Sequence, residues 1–360
     1  MMREKGTVPI GAKHPSGRSG KGGPSPFPAR RLRPVAVLVL LTLVLLATAI
    51  VSLDLGSVQL SPRQILAALA GQGETQHELV ILQLRLPRLV LSILIGVGLA
   101  VSGVILQGIT RNDLASPDTV GVNAGSGLGM MFLLVVYPTA VAQSPLLLPL
   151  GAVAGAMAMT ALVFALAYRQ GSVLPSRLLL VGIAVGFGAQ AAMLLFSLRM
   201  SFSMYSYVVT WMSGTLAAGD WTSILLLLPC SLLLVPLAFS RTRVLNVMSL
   251  GDYLAAGLGV SVDRQRLLLL GVATMLTAPC VAIGGHIGFL GLAAPHLARR
   301  MVGANHGVLF PAAALCGAIL LLVADSLGRH LFAPVEIPAG VLVGILGGIY
   351  FLYLLARTKG

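Results

Sequence analysis

LRLPRLVLSILIGVGLAVSGVILQGITRNDLASPDTVGVNAGSGLG, residues 84–129, decides the fold. It opens on Arg85 and Arg88, runs apolar from Leu89 to Leu106, and closes with Gln107, the polar segment Arg111–Asp118 and the glycine-rich run Gly121–Gly129. About 20 residues at about 1.5 Å each span the roughly 30 Å of a bilayer's hydrocarbon core. One helix therefore joins two polar faces, and the chain reads as a membrane protein from this segment outward.

The whole sequence agrees. Its 360 residues are 57% hydrophobic and 10% charged, with a mean hydropathy of +0.94, whereas soluble domains carry about 25% charged residues. Cys230, Cys280 and Cys316 are odd in number and each is set in an apolar run, so they read as core hydrophobes and not as a disulfide framework or a zinc site. The net charge of +13 does not point to nucleic acid, because eight of the 24 basic residues crowd into a Gly/Pro/Ser-rich tail before Pro34. Residues 1–34 read as a disordered basic cytoplasmic arm, with lipid binding as the other reading. Gly17–Lys21 lacks the spacing and preceding strand of a phosphate loop, so any ATPase must be another chain. Ala47-Thr48-Ala49 imitates a leader-peptide cleavage site, but Val35–Leu53 is already of spanning length and reads as an uncleaved first helix.

Apolar runs of spanning length fall near 35–53, 88–107, 118–136, 146–167, 178–198, 222–239, 266–284, 286–302, 308–328 and 338–355, predicting an all-α polytopic domain of about ten transmembrane helices over 35–356. With both ends inside, 19 of the 24 Lys and Arg residues fall on the cytoplasmic side, which satisfies the positive-inside rule. Ser61-Pro62 predicts a capped short helix between the first two spans. Phe202–Ala218, with Tyr205, Tyr207 and Trp211, is expected along the outer surface. Glycines four apart, at 121/125/129, 151/155, 182/186, 284/288 and 340/344/348, predict close helix packing.

The chain resembles the FecCD-type permeases, the membrane subunits of ABC importers for ferric siderophores, haem and cobalamin. The resemblance rests on Arg85-Leu-Pro-Arg88, the segments just quoted, Trp211–Gly214, Leu250–Val260, Gly285–His296, Asp325 and Glu336–Gly340, and so covers most of 35–356. It implies a BtuC-like type II importer fold, no catalytic residue, no cofactor, and a cytoplasmic (inner) membrane location. It also implies partners: separate ATPase subunits, an extracytoplasmic substrate-binding protein, and a second permease, identical or paralogous.

Several residues acquire roles by this resemblance. Arg85, Arg88 and Arg329 match the positions that pair with acidic groups on the binding protein; snorkelling anchors are the other reading. The cytoplasmic loop 241–266, with Gly251, Asp252, Leu254, Leu258, Gly259 and Val260, matches the element that docks on the ATPase, as two short helices meeting at Gly259. Its apolar residues would be exposed without a partner; a solvated loop is the bland alternative. Gln170–Ser176 lies where two subunits close an inner gate, with Pro175 and Ser176 in place of the expected small polar pair, and a plain connecting loop fits equally. His286 and His296 have no carboxylate or thiol spaced to complete a metal site and read as structural, in a helix broken near Pro295. The methionines read as packing residues, a few of them lining the path.

Function then divides by class. An ion-coupled secondary carrier would place ionisable residues at the midplane, and this chain nearly lacks them, Asp325 near the outer end of the ninth span being the one acidic residue well inside a span; an enzyme would need an acid, base or nucleophile set, and none of the usual kind is present. An importer permease remains, moving a ferric siderophore, with cobalamin or haem as alternatives. Ser116–Asp118, Gly121–Asn123, Gly259–Arg264 and Leu346–Tyr350 are most similar in spelling to ferric enterobactin permeases, which points to a catecholate.

Overall fold

The computed structural model describes residues 34–55, 60–144, 146–169, 172–217, 219–331 and 335–357. The basic arm expected before residue 34, the segment Gly17–Lys21 within it, Gln170 and Gly171 of the gate loop, and Ala218 lie outside the described residues.

The elements in order are α1 (Pro34–Asp54), α2 (Pro62–Leu69) and α3 (Thr75–Glu78), the last joined by a π-helical segment, Leu79–Arg85, to α4 (Leu86–Thr110). A 3-10 turn, Pro117–Val120, leads into α5 (Val122–Val136), α6 (Pro138–Gln143) and α7 (Leu147–Ala167). A two-stranded hairpin, β1 (Tyr168–Arg169) and β2 (Ser172–Val173), precedes α8 (Pro175–Ser197). Then come α9 (Phe202–Met212), α10 (Trp221–Ser240), α11 (Thr242–Met248), α12 (Asp252–Gly257), α13 (Val262–Gly284), α14 (Leu290–Val302), α15 (His306–His330) and α16 (Ala339–Arg357).

Ten of these helices match the ten expected spans. Seven, including the continuous helix Thr75–Thr110, are long and apolar enough to cross a membrane by themselves; α5, α14 and α16 complete the set. Two of the expected spans start later than expected. Gly121 adopts a left-handed φ of 79°, which separates the 117–120 turn from α5. The run at 286–302 becomes helical only at Leu290, because Gly285 (φ 72°) and Phe289 (φ 62°) turn the chain out of helical geometry.

Local chemistry explains the helix ends. Ser61 caps α2 in a full capping box, its backbone N–H donating to Gln64 Oε1 at 2.8 Å, with Pro62 at the first helical position. Pro87 has no N–H to give to the carbonyl four residues back, and the turn ahead of it is wound wider, with Leu86 N–H bonded to Ile81 O.

α4 is the axle of the fold, buried along nearly its whole length and in contact with α1, α10, α13, α14 and α15. It crosses α15 at Gly96 and Gly317: a Cβ on Gly96 would lie 2.5 Å from Gly317 O. α5 and α7 meet the same way through Gly125, Gly129, Gly151 and Gly155. In lipid, where apolar contact supplies little drive, such backbone approach supplies the packing. A Cβ added at Gly186, Gly344 or Gly348 would meet nothing within 4 Å, so the packing expected of them is not made among the described residues.

Candidate functional site: two polar ends and a cavity between them

Charged side chains gather at the two ends of α4. Arg88, near its start, donates from Nε to Asp325 Oδ1 at 2.9 Å and from Nη1 to Glu336 Oε2 at 2.9 Å. Arg329 reaches the same Asp325, Nε to Oδ2 at 3.2 Å, and donates to Ser52 Oγ at 2.9 Å. Arg85 is bonded to the Leu53 carbonyl at the end of α1. The structure therefore turns Arg88 and Arg329 inward onto Asp325, whose side chain is 1% exposed, while Arg85 is held at the end of α1. A buried carboxylate in a low-dielectric interior needs such partners.

The opposite end is organised by Asp252. Its carboxylate accepts from Arg266 Nη2 at 3.0 Å and lies 3.3 Å from Arg111 Nη2. The short helices of the coupling region are α11 and α12, and they meet at Gly251 (φ 110°) and not at Gly259 as expected; Gly259 (φ 84°) instead ends α12. Both turns need the left-handed backbone that glycine adopts without strain. Leu254 and Leu258 are exposed and Tyr253 is 97% exposed, while Val260, expected to be exposed, packs partly against the core. Among the described residues the apolar surface offered here is therefore Tyr253, Leu254 and Leu258 with Leu250. Arg299 ties α14 to Asp113 at the same end.

Between the two ends lies a cavity of about 700 Å³, walled by α5, α8, α9 and the segment between α13 and α14. Met131, Met193, Met212, Ile183, Phe187, Leu194, Val208, Trp211 and Phe289 make it largely apolar. Its polar contacts are few: Gln190, Ser197, Tyr205 and a cluster at the 117–120 turn. In that cluster His286 Nε2 and Asp118 Oδ1 are 3.0 Å apart, and Asn123 Nδ2 donates to the same oxygen. A second cavity of about 730 Å³ lies toward the Asp252 end, lined by Arg111, Asn112, Leu179, Leu180, Pro175 and Ser176. The two share Thr119 and Ile183, so they follow one face of α8 in succession.

Pro175 and Ser176 line this second cavity where α8 begins. Trp211, expected at the membrane surface, is buried, its Nε1 donating to Ala282 O at 3.2 Å, whereas Tyr205 and Tyr207 are about half exposed. His286 lies in the non-helical segment between α13 and α14, whereas α14 runs unbroken through Pro295, near which the break was expected; the carboxylate absent from the sequence neighbourhood of His286 is supplied by Asp118, 168 residues away. His296 packs on Tyr350 and Phe351, and no cluster of three or more metal-ligating side chains exists among the described residues.

Comparison with known proteins places this arrangement. A model of the FecCD transport family matches residues 43–357. The chain is 40% identical over 331 residues to the iron(3+)-hydroxamate import system permease protein FhuG of Bacillus subtilis (strain 168), covering 91% of this chain and 98% of that protein. It is 42% identical over 327 residues to the Fe(3+)-citrate import system permease protein YfmE of the same organism, covering 91% and 96%. To the ferric enterobactin transport system permease protein FepG of Escherichia coli (strain K12) it is 37% identical over 330 residues, covering 89% and 97%. A solved metal-chelate type ABC transporter in an inward-facing conformation superposes with a TM-score of 0.80 at 33% identity, covering 90% of this chain and 99% of the other.

Proposed function

The chain belongs to the FecCD transport family, and from that premise we propose that it is the permease subunit of an ATP-binding-cassette importer carrying a ferric siderophore across the cytoplasmic membrane. It hydrolyses no ATP itself; a separate subunit does. It works with an extracytoplasmic binding protein and pairs with a second permease.

One observation carries the reading: two successive, mostly apolar cavities run along α8 between a polar end at Asp325 and a polar end at Asp252. A path with apolar walls and few polar contacts suits passage better than tight capture, since each strong contact would slow release. The second permease supplies the other wall.

The ends take roles accordingly. Arg88 and Arg329, which share Asp325, and Arg85, bonded at the end of α1, lie at the end that meets the binding protein and steer its acidic groups. Gly251, Asp252, Leu254 and Leu258, with Tyr253, form the surface that meets the ATPase; Gly259 closes that helix and Val260 anchors it to the core. Pro175 and Ser176 belong to the inner gate. This orientation puts both termini in the cytoplasm, as the distribution of basic residues requires.

Among ferric complexes, the spellings at 116–123 and 346–350 favour a catecholate, while the hydroxamate and citrate permeases are the relatives with 40% and 42% identity. The test is uptake of radiolabelled iron as catecholate, hydroxamate or citrate complex, beside labelled cobalamin and haem, in cells with and without this chain. Loss of one iron complex fixes the substrate. Loss of cobalamin or haem uptake alone rejects the siderophore assignment.

A further inference from the structure

Arg266 is the most deeply buried arginine among the described residues, at 1% exposure, and its guanidinium is shared among separate elements. Nη1 donates to Val173 O at 2.7 Å in β2, Nη2 to Asp252 Oδ1 at 3.0 Å and Oδ2 at 3.2 Å in α12, and Nε to Ile109 O at 3.4 Å near the end of α4. Val173 is held a second time, its N–H donating to Asp263 Oδ1 at 3.1 Å, and Asp263 itself lies 3.6 Å from Arg266 Nη1. Val173 is two residues before Pro175, where α8 begins and the inner cavity opens.

We propose that Arg266 is a positioning residue through which displacement of α12 is transmitted to the inner end of α8. This rests on the reading that α12 meets the ATPase and α8 lines the path. The physical basis is the cost of a buried charge. A guanidinium taken out of water must keep its partners, and separating it from Asp252 removes both hydrogen bonds to that carboxylate and leaves only the longer 3.6 Å approach of Asp263. Its rigid planar fork fixes the direction of each bond, so α12 and β2 are held to one another by a link that does not stretch. When α12 is pushed, the arrangement that preserves every pair is one in which Val173, and with it the first turn of α8, moves too. Arg111 offers a parallel connection: it pairs with Asp252 and lines the inner cavity.

The experiment uses the complete importer, with ATPase and binding protein, in proteoliposomes. Arg266→Lys, Arg266→Met and Asp252→Asn are compared with wild type for ATPase retention, for substrate imported per ATP hydrolysed, and for the distance between spin labels at Ala256→Cys and Leu180→Cys, both exposed positions. Lysine keeps the charge but cannot make the fork, and Asp252→Asn keeps the volume, so the test survives a failure of Arg266→Met to fold. The expected result is retained ATPase in the Arg266 variants, with import per ATP reduced at least about ten-fold in them and severalfold, per ATPase still bound, in Asp252→Asn, and a label distance that changes with ATP differently from wild type. Wild-type import per ATP with a wild-type distance change in folded Arg266→Lys overturns the proposal, as does loss of the ATPase from that variant. Leu254→Asp with Leu258→Asp separates the premise: ATPase that stays bound to this double variant rejects the docking reading itself.

Discussion

Arg88 and Asp325, 237 positions apart in sequence, are joined in the interior by a hydrogen bond from Nε to Oδ1 at 2.9 Å and an ion pair in which Nη2 lies 2.9 Å from the same oxygen. This pair closes the outer end of the α4–α15 packing, and Arg329 completes it from the next turn of α15. Asp325→Ala leaves two mostly buried guanidinium groups with only the half-exposed Glu336 carboxylate, which meets Arg88, to offset them. We predict a loss of about 3–5 kcal/mol, read as a lowered melting temperature in detergent. Glu336→Gln should cost less, below about 1 kcal/mol, because the Glu336 side chain is 48% exposed and its bond to Arg88 is screened by water. Equal losses in the two variants would contradict this account of the cluster.

Arg85 tests the docking role with the least disturbance to Asp325, since its bonds go to the Leu53 and Asp54 carbonyls. Arg85→Gln is expected to slow association of the binding protein at low ionic strength, the difference shrinking as salt is added. An unchanged association rate at low salt would leave Arg85 as an anchor for α1.

His286 and Asp118 carry a coupling prediction. Nε2 and Oδ1 lie 3.0 Å apart, so the pair ties the segment before α14 to the turn before α5. His286→Gln and Asp118→Asn are each expected to lower the melting temperature in detergent, and the double variant by less than the sum of the two, because the second change removes a contact already lost. Additive losses would mean that the pair contributes nothing to the fold.

Gly317 tests the helix crossing. A side chain there would strike Gly96 O and Ala100 Cβ across the α4–α15 contact. Gly317→Val is predicted to destabilise by about 1–3 kcal/mol or more through overpacking, whereas Gly344→Ala, with nothing within 4 Å, should melt as wild type does unless the second permease packs there. Comparing the isolated subunit with the assembled importer distinguishes these cases.

Much of the architecture was legible because it is written locally. Apolar length marks the spans, Ser61-Pro62 marks the start of α2, and glycines at 96/317 and 125/129/151/155 occupy the crossings, although only the second set was visible as a spacing. What stayed hidden depends on partners far apart in the chain. Asp118 and His286 are each unremarkable in sequence until the fold brings them together, and Arg266 reads as one more cytoplasmic charge until Asp252 and Val173 surround it. The misplaced junction of the coupling helices is of another kind. Gly251 and Gly259 can both take a left-handed turn, and only the packing of Ala255 and Val260 against the core decides which one separates α11 from α12.

The central claim is that this chain provides an ATP-driven path for a ferric chelate. The most direct measurement is accumulation of radiolabelled ferric siderophore in proteoliposomes containing the chain with its ATPase and binding protein, with ATP or a non-hydrolysable analogue inside. The account predicts accumulation that requires ATP hydrolysis, the binding protein and this chain together, and that persists when ion gradients are collapsed. Accumulation that follows an ion gradient and ignores ATP would contradict it.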